Sequence, residues 1–297
     1  MLTQIHFLLT YTCTFECDHC FLYCSPRSVG TFTVAQIRDL LGQARALGTV
    51  ERVYFEGGEP FLYYPLLVEG LRLARAAGFE TGVVTNCYWA TAREDAALWL
   101  GPLAQAGVDD LSVSDDAFHH GEEGESPART AVAAAGDVGL STGAICIEGP
   151  TPSATSGPRG EPVVGGGPLF KGRAADRLTA GLPRVPPERL VTCPHEELIA
   201  PRRVHVDAFG NVQVCQGVSI GNLWQTPLAA LLAAHDGAHP ISGPLSRGGP
   251  AELARVHGVA LEGQPVDECH YCFLLRRALL DRFPDELAPR QVYGDDA

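Results

Sequence analysis

The sequence predicts an α/β fold built on a parallel sheet. Short β-rich runs alternate with helical patterns at roughly 30-residue spacing through the first half of the chain. Polar or glycine-containing turns follow the predicted strand ends, which is where parallel sheets and barrels place their chemistry. The chain of 297 residues is 45% hydrophobic and 19% charged, enough apolar material to bury a core in one large or two modest domains.

The first predicted strand covers residues 5–9. Thr33 and Gln36 have the form of a capping box, followed at helical spacing by Val34, Ile37, Leu41, Ala44 and Leu47, with Gly48 as the stop. Residues 53–55 form the second strand. The next helix carries Leu67, Leu71 and Ala74 on one face and ends at Gly78. Residues 81–85 form the third strand. Thr91 is expected to cap the following helix, and Pro102 to interrupt or end it. Residues 111–114 and 142–147 supply strands four and five, with an alanine-rich helix over 128–135 between them.

From 149 to 187 glycine and proline are dense, which reads as a loop-rich connection with one further short strand at 163–164. Strands at 204–206 and 212–214 flank Asp207-Ala208-Phe209-Gly210-Asn211, a hairpin signal. A short helix follows at 227–234. The expected domains are residues 1–185 and 186–280, with 281–297 as a tail whose acidic end frays.

The formal net charge of −13, from 35 acids against 22 bases, argues against a nucleic-acid partner. Lys171 is the sole lysine. No run reaches the ~18 apolar residues of a membrane span, and the N-terminus lacks a basic segment and a small-residue cleavage site. A cytoplasmic location is therefore expected. In that reducing setting the ten cysteines point to metal or redox chemistry more than to a disulfide framework.

Directly after the first strand, Cys13, Cys17 and Cys20 stand in a CxxxCxxC spacing. Three thiolates on one loop can converge on one inorganic centre, whereas structural zinc asks for four closed ligands and iron–sulfur cubes usually take four cysteines. A cube held by three leaves one iron open. This spacing resembles the signature of the radical S-adenosylmethionine (radical SAM) superfamily, in which the open iron binds the amino and carboxylate groups of S-adenosylmethionine. Gly57-Gly58-Glu59-Pro60, after strand two, is similar to that family's GGEP motif, which implies that these four residues contact the cofactor. Zinc binding by the cysteine loop and an ordinary turn at Gly57–Pro60 are the competing readings.

The resemblance implies further cofactor contacts. Asn86 closes strand three, and Ser114 and Asp116 close strand four, where relatives keep polar groups near the cofactor; capping of the loops is the alternative. Arg173, in a Gly-Arg-Ala segment, is expected either to pair with the cofactor carboxylate or to form a surface salt bridge. His19 departs from the aromatic residue usual before the third cysteine; it or Phe21 is expected to stack on adenine.

Beyond this region Cys193, Cys215, Cys269 and Cys272 remain. Gly210 to Cys215 has the GxxxxC form of the hairpin in SPASM and twitch extensions, and Ile220-Gly221-Asn222-Leu223 resembles the segment after it. The four thiols imply one auxiliary 4Fe–4S cluster, the twitch arrangement; a four-cysteine zinc site is the competing reading. Cys24, Cys87 and Cys146 are left over as packing residues, with Cys87 a lesser candidate for hydrogen-atom donation because it follows Asn86. His119, His120, Asp115 and Asp116 read as a solvated loop before a metal site or general base, and His195, His205 and His270 receive no role.

The resemblance implies a partial (βα)6 barrel with a small α+β twitch-like domain. It also implies a SAM-binding 4Fe–4S cluster, reductive cleavage of SAM by an electron donor such as flavodoxin or ferredoxin, and hydrogen abstraction from a substrate C–H bond. A peptide is the expected substrate, and a small molecule undergoing dehydrogenation the alternative. A non-catalytic iron–sulfur or zinc scaffold is a third, distant reading. With the first cysteine at residue 13 there is no room for an N-terminal peptide-recognition domain, so a leader peptide is expected to need a separate partner or the Gly/Pro-rich loops. The sequence sets no oligomeric state.

Overall fold

The computed structural model describes residues 1–121, 126–150 and 167–295. The expected strand at 163–164 lies outside them. Five parallel strands follow the predicted alternation: β1 (Gln4–Thr10), β2 (Arg52–Gly57), β3 (Glu80–Thr85), β4 (Asp110–Ser114) and β5 (Thr142–Ile145). Helices α1 (Val34–Leu47), α2 (Tyr64–Ala76), α3 (Arg93–Ala106) and α5 (Pro127–Asp137) connect them, with a short α4 (Ala117–His120) after β4. Further on come α6 (Arg173–Arg177), β6 (Arg203–Asp207), β7 (Asn211–Cys215), β8 (Val218–Asn222), α7 (Leu228–Ala234), α8 (Ser242–His257) and α9 (Glu268–Ala278).

The eight strands form one sheet in the order β5-β4-β3-β2-β1-β6-β7-β8. β6 runs parallel to β1, and β7 and β8 are antiparallel additions. The chain thus extends the sheet on one side of β1 through β5 and on the other through β8. That reversal at β1 opens a crevice at its carboxyl end, the place where open α/β sheets bind ligands. Residues 186–280 share this sheet with the N-terminal region.

Strand alternation sorts β1. Phe7 faces the helix side and stacks on Phe55 at 4.9 Å, while His6 lines a cavity on the other face. On the helix side α1 packs on α2, α2 on α3 and α3 on α5. The Thr33–Gln36 capping box forms as expected, and Gly48 closes α1 in the left-handed region. The hairpin turn is set by Asp207, which accepts from the backbone N–H groups of Phe209 and Asn211, both at 3.0 Å, and from the hydroxyl of Tyr11 on β1 at 3.1 Å.

Several expectations are corrected. Ala92, with no side-chain bond, stands at the α3 N-cap in place of Thr91; Glu94 and Asp95 in the first turn complement the helix dipole. Pro102 lies inside α3, which continues to Ala106. Leu98, whose carbonyl loses its helical donor to the proline, is 77% exposed, so water can replace that bond. Strand β8 and helices α8 and α9 are additional elements. α8 hides in sequence because Gly248 and Gly249 kink it and Pro250 restarts it. Residues 281–295 are packed, not a tail: Leu287, Val292 and Tyr293 are buried, and the Tyr293 hydroxyl donates to the Gly217 carbonyl at 2.6 Å.

Candidate active site

The loop after β1 carries Cys13, Cys17 and Cys20 around one wall of a cavity of about 440 Å³. Its shape is held mainly by backbone bonds. The Cys13 N–H donates to the Ser25 carbonyl at 3.0 Å, and the Cys20 N–H to the Cys17 carbonyl at 3.1 Å. The Arg173 guanidinium then fastens the loop from below, donating to the carbonyls of Cys17 (2.8 Å), Cys24 (2.8 Å) and Tyr23 (3.1 Å). Its own N–H donates to the Cys20 carbonyl at 2.9 Å. Gly172 makes this approach possible: at φ +60° a Cβ there would sit 2.5 Å from the Cys20 carbonyl oxygen. Arg173 is thus neither a surface ion pair nor a guanidinium facing the cavity. It is a buried clasp on the cysteine loop.

The Gly57–Pro60 segment lies against the same loop. A Cβ on Gly57, at φ +131°, would meet the Thr10 carbonyl oxygen at 2.3 Å, and one on Gly58 the Thr12 carbonyl oxygen at 2.3 Å. Those carbonyls accept from the Gly58 and Glu59 N–H groups at 2.7 and 2.9 Å. Both glycines line the cavity, whereas Glu59 and Pro60 are buried behind it. The Glu59 carboxylate accepts from the Phe61 N–H (3.0 Å), the Thr85 hydroxyl (2.9 Å) and the Asn86 N–H (2.8 Å). Burial pushes its pKa up to about 7 against those donors. Glu59 therefore orders the end of β3, and the Asn86 amide, so placed, donates to the Cys13 sulfur at 3.5 Å and the Thr14 hydroxyl at 3.0 Å.

Ser114, Asp116, His19 and Phe21 also line the cavity. Asp116 bonds the His119 ring at 2.8 Å; burial would raise its pKa, but His119 and His19 hold it below the usual range. The His19 ring packs on Phe118 at 4.7 Å and His119 at 4.9 Å, and burial lowers its pKa to about 4. His119 is thus a cavity residue, not part of a solvated loop. Cys87 is turned away from the cavity: it is fully buried, and its sulfur donates to the Thr85 carbonyl at 3.8 Å. A role as hydrogen-atom donor to a ligand in this cavity does not fit that placement.

Burial pushes the Cys13 thiol up to about 11 and raises Cys17 further, with the neighbouring thiolates adding to both. Cys20 moves the other way, to about 6, chiefly because the Cys24 thiol donates to it. Three thiols converging on one loop, one buried and two partly so, form a donor set that a cationic iron centre would hold as thiolates. Cys24 is the residue that sequence reasoning passed over here; its position four residues after Cys20 is the only signal.

The second group draws on distant segments. Cys269 and Cys272 lie three apart in α9, Cys215 ends β7, and Cys193 precedes β6. Burial pushes Cys193 up to about 12, and the charges of Cys215 and Cys272 add to this. Burial also raises Cys269 and Cys272. Two buried cations adjoin the group. Lys171 Nζ lies 3.7 Å from the Cys215 sulfur and donates to Gln216 Oε1 at 2.5 Å. Arg276 donates to the Gln216 carbonyl at 2.9 Å and the Cys272 carbonyl at 3.4 Å. Lys171 also lines the cavity, 5.5 Å from the Phe21 ring centre, and so links the two cysteine regions. Sequence reasoning gave Lys171 no role, because a single lysine reads as composition bias. Among the described residues no helix is long and apolar enough to cross a membrane.

Part of the chain matches a known family, and a solved structure shares its fold. Residues 7–122 match the Radical SAM superfamily model, a span that includes all three loop cysteines, Gly57–Pro60, Asn86 and Asp116. That family implies a 4Fe–4S cluster and S-adenosylmethionine. YydG of Bacillus subtilis (strain 168), a protein named for peptide biosynthesis, is 26% identical over 107 residues, 36% of this chain and 34% of YydG. The match therefore spans about a third of that relative's length. Among solved structures, BtrN in complex with AdoMet and 2-DOIA aligns over 90% of this chain and 97% of that chain, with a TM-score of 0.55 and 13% identity. Native anSMEcpe with bound AdoMet aligns over 98% of each chain at a TM-score of 0.49 and 12% identity.

Proposed function

We propose, for a chain whose residues 7–122 form a radical SAM superfamily domain, that it cleaves S-adenosylmethionine at a cluster on Cys13, Cys17 and Cys20 and modifies a peptide. The observation that carries this is the shared cavity: the three loop cysteines, the Gly57-Gly58 backbone, Asn86 and Asp116 all line it. A 4Fe–4S cluster would be held there by Cys13, Cys17 and Cys20 and, charged by an external electron donor, would supply the one-electron reduction needed to open a sulfonium for substrate C–H activation.

The chain's own residues position and protect. Arg173 and Gly172 fix the cysteine loop, Glu59 fixes the Thr85-Asn86 corner, and Asn86 holds the Cys13 sulfur. Gly57 and Gly58 leave room for a ligand to approach backbone. Asp116, held ionised, offers acceptor oxygens to an ammonium or ribose hydroxyls, and His19 and Phe21 offer ring faces to adenine. The surrounding walls limit water.

The second thiol group is read as an auxiliary 4Fe–4S site. Lys171 and Arg276 set positive charge beside this group, which would favour the reduced form of a cluster held there. The peptide reading rests on the YydG likeness.

The test is anaerobic reconstitution with iron and sulfide, followed by S-adenosylmethionine and reductant. Release of 5′-deoxyadenosine, and a mass change on peptides encoded beside this chain, are expected. A protein that leaves S-adenosylmethionine intact overturns the reading. Turnover of a small molecule with every such peptide untouched replaces the substrate class.

A further inference from the structure

The cavity wall carries a second set of metal-ligating side chains that neither cysteine group uses. His6, Glu56 and His205 stand on three adjacent strands, β1, β2 and β6. His6 is in register with Tyr54 on one side and with His205 on the other. Glu56 lies two residues beyond Tyr54, so strand alternation brings all three to the cavity face, where each lines the wall. His6 and His205 are each 4% exposed.

The contacts among them are those of a ligand set. His6 Nδ1 lies 3.1 Å from one Glu56 oxygen, and His205 Nε2 lies 3.2 Å from the other. One donor atom from each residue fits within 4.8 Å of the rest. Yet both ring nitrogens of His6 are buried without a hydrogen-bond partner. Lys171 approaches the same corner through Gln216. Its ammonium donates to Gln216 Oε1 at 2.5 Å, and the Gln216 amide nitrogen lies 3.3 Å from His205 Nε2. Glu56 thus holds one oxygen toward each imidazole, so a single carboxylate joins the two rings. Tetrahedral metal–ligand bonds of ~2.0–2.1 Å hold neighbouring ligand atoms about 3.3–3.4 Å apart, near the 3.1 and 3.2 Å separations here.

We propose that His6, Glu56 and His205 form a mononuclear site for a divalent first-row transition metal such as zinc. Two imidazoles and one carboxylate suit such an ion and leave coordination positions open toward the cavity. Those positions would take a carboxylate, carbonyl or hydroxyl oxygen of a molecule bound there. The site uses no cysteine, so it stands or falls separately from the radical chemistry above.

The experiment uses the full chain, reconstituted anaerobically with iron and sulfide, given one equivalent of zinc(II) and freed of excess. Zinc content and zinc-edge X-ray absorption are then measured. The expected result is about one zinc per chain with a nitrogen/oxygen shell at ~2.0–2.1 Å. Zinc retention should fall at least tenfold in Glu56→Gln and in His6→Gln, with iron content unchanged. No retained zinc, a shell containing sulfur at ~2.3 Å, or full retention by both variants overturns the proposal. Where a variant loses iron as well, the wild-type scattering shell decides alone, because it needs no substitution.

Discussion

The two cysteine groups gather thiols by opposite means. In the first, Cys13, Cys17 and Cys20 sit within eight residues of one loop, and the nearby cation, Arg173, is committed to backbone carbonyls. In the second, the thiols span residues 193–272, and Lys171 lies directly against a sulfur. A local loop needs its backbone held; a dispersed set needs its charge balanced. The first arrangement fixes geometry by hydrogen bonds, while the second places positive charge where burial makes thiolates unfavourable.

Breaking the first site at its centre gives the largest effect. Cys17→Ala should reduce release of 5′-deoxyadenosine by at least ~10³-fold, about 4 kcal/mol in the barrier. About four irons should stay on the second group by elemental analysis. Loss of all iron would show that the two sites are not independent. Arg173→Ala comes next. It removes charge-assisted bonds to three carbonyls, each worth ~1.5–3 kcal/mol where buried. Non-additive loss of about 3–5 kcal/mol in thermal or urea unfolding is expected. Arg173→Lys should recover little, because an ammonium cannot span the three acceptors.

How much of this was legible follows the same division. The CxxxCxxC loop, Gly57-Gly58 and the Thr33–Gln36 cap are contiguous, so a spacing reads them. Arg173 was picked out as a residue, yet its partners lie about 150 positions away, which no local pattern encodes. Glu59 was read as touching a cofactor, but the turn that positions Gly58 drives its carboxylate into the core. His6, Glu56 and His205 are single residues on separate strands; only strand order and register bring them together. β1–β5 and the hairpin were readable from period and turn chemistry, whereas α8 was masked by its own glycines and proline.

Glu59→Gln sharpens the comparison from the corner beside the first site. An amide keeps the acceptor for two donors at most and turns an NH2 toward the third, costing ~1–3 kcal/mol. Burial raises this carboxyl to about 7, so the folded state binds the proton more tightly than the unfolded chain. That contribution is complete at low pH and is lost as pH rises from the ordinary glutamate range through about 7. The stability gap between wild type and Glu59→Gln should therefore narrow across that window in paired urea titrations. Lys171→Met tests the other region: the midpoint potential of the second group should fall, followed by electron paramagnetic resonance, with the first group's unchanged.

The smallest effect is expected at Cys87. It follows Asn86 directly, but its backbone adopts φ +61° and its sulfur turns back to the Thr85 carbonyl. A serine hydroxyl at that position can make the same bond, so Cys87→Ser should lower stability by no more than ~1 kcal/mol. Product formation should stay within about twofold of wild type, under 0.5 kcal/mol in the barrier. If Cys87 donated hydrogen to the substrate, the variant would still consume S-adenosylmethionine but accumulate an unquenched or altered product. Mass analysis in deuterated solvent separates the two outcomes, because an exchangeable thiol donor leaves deuterium on the product and a buried packing cysteine leaves none.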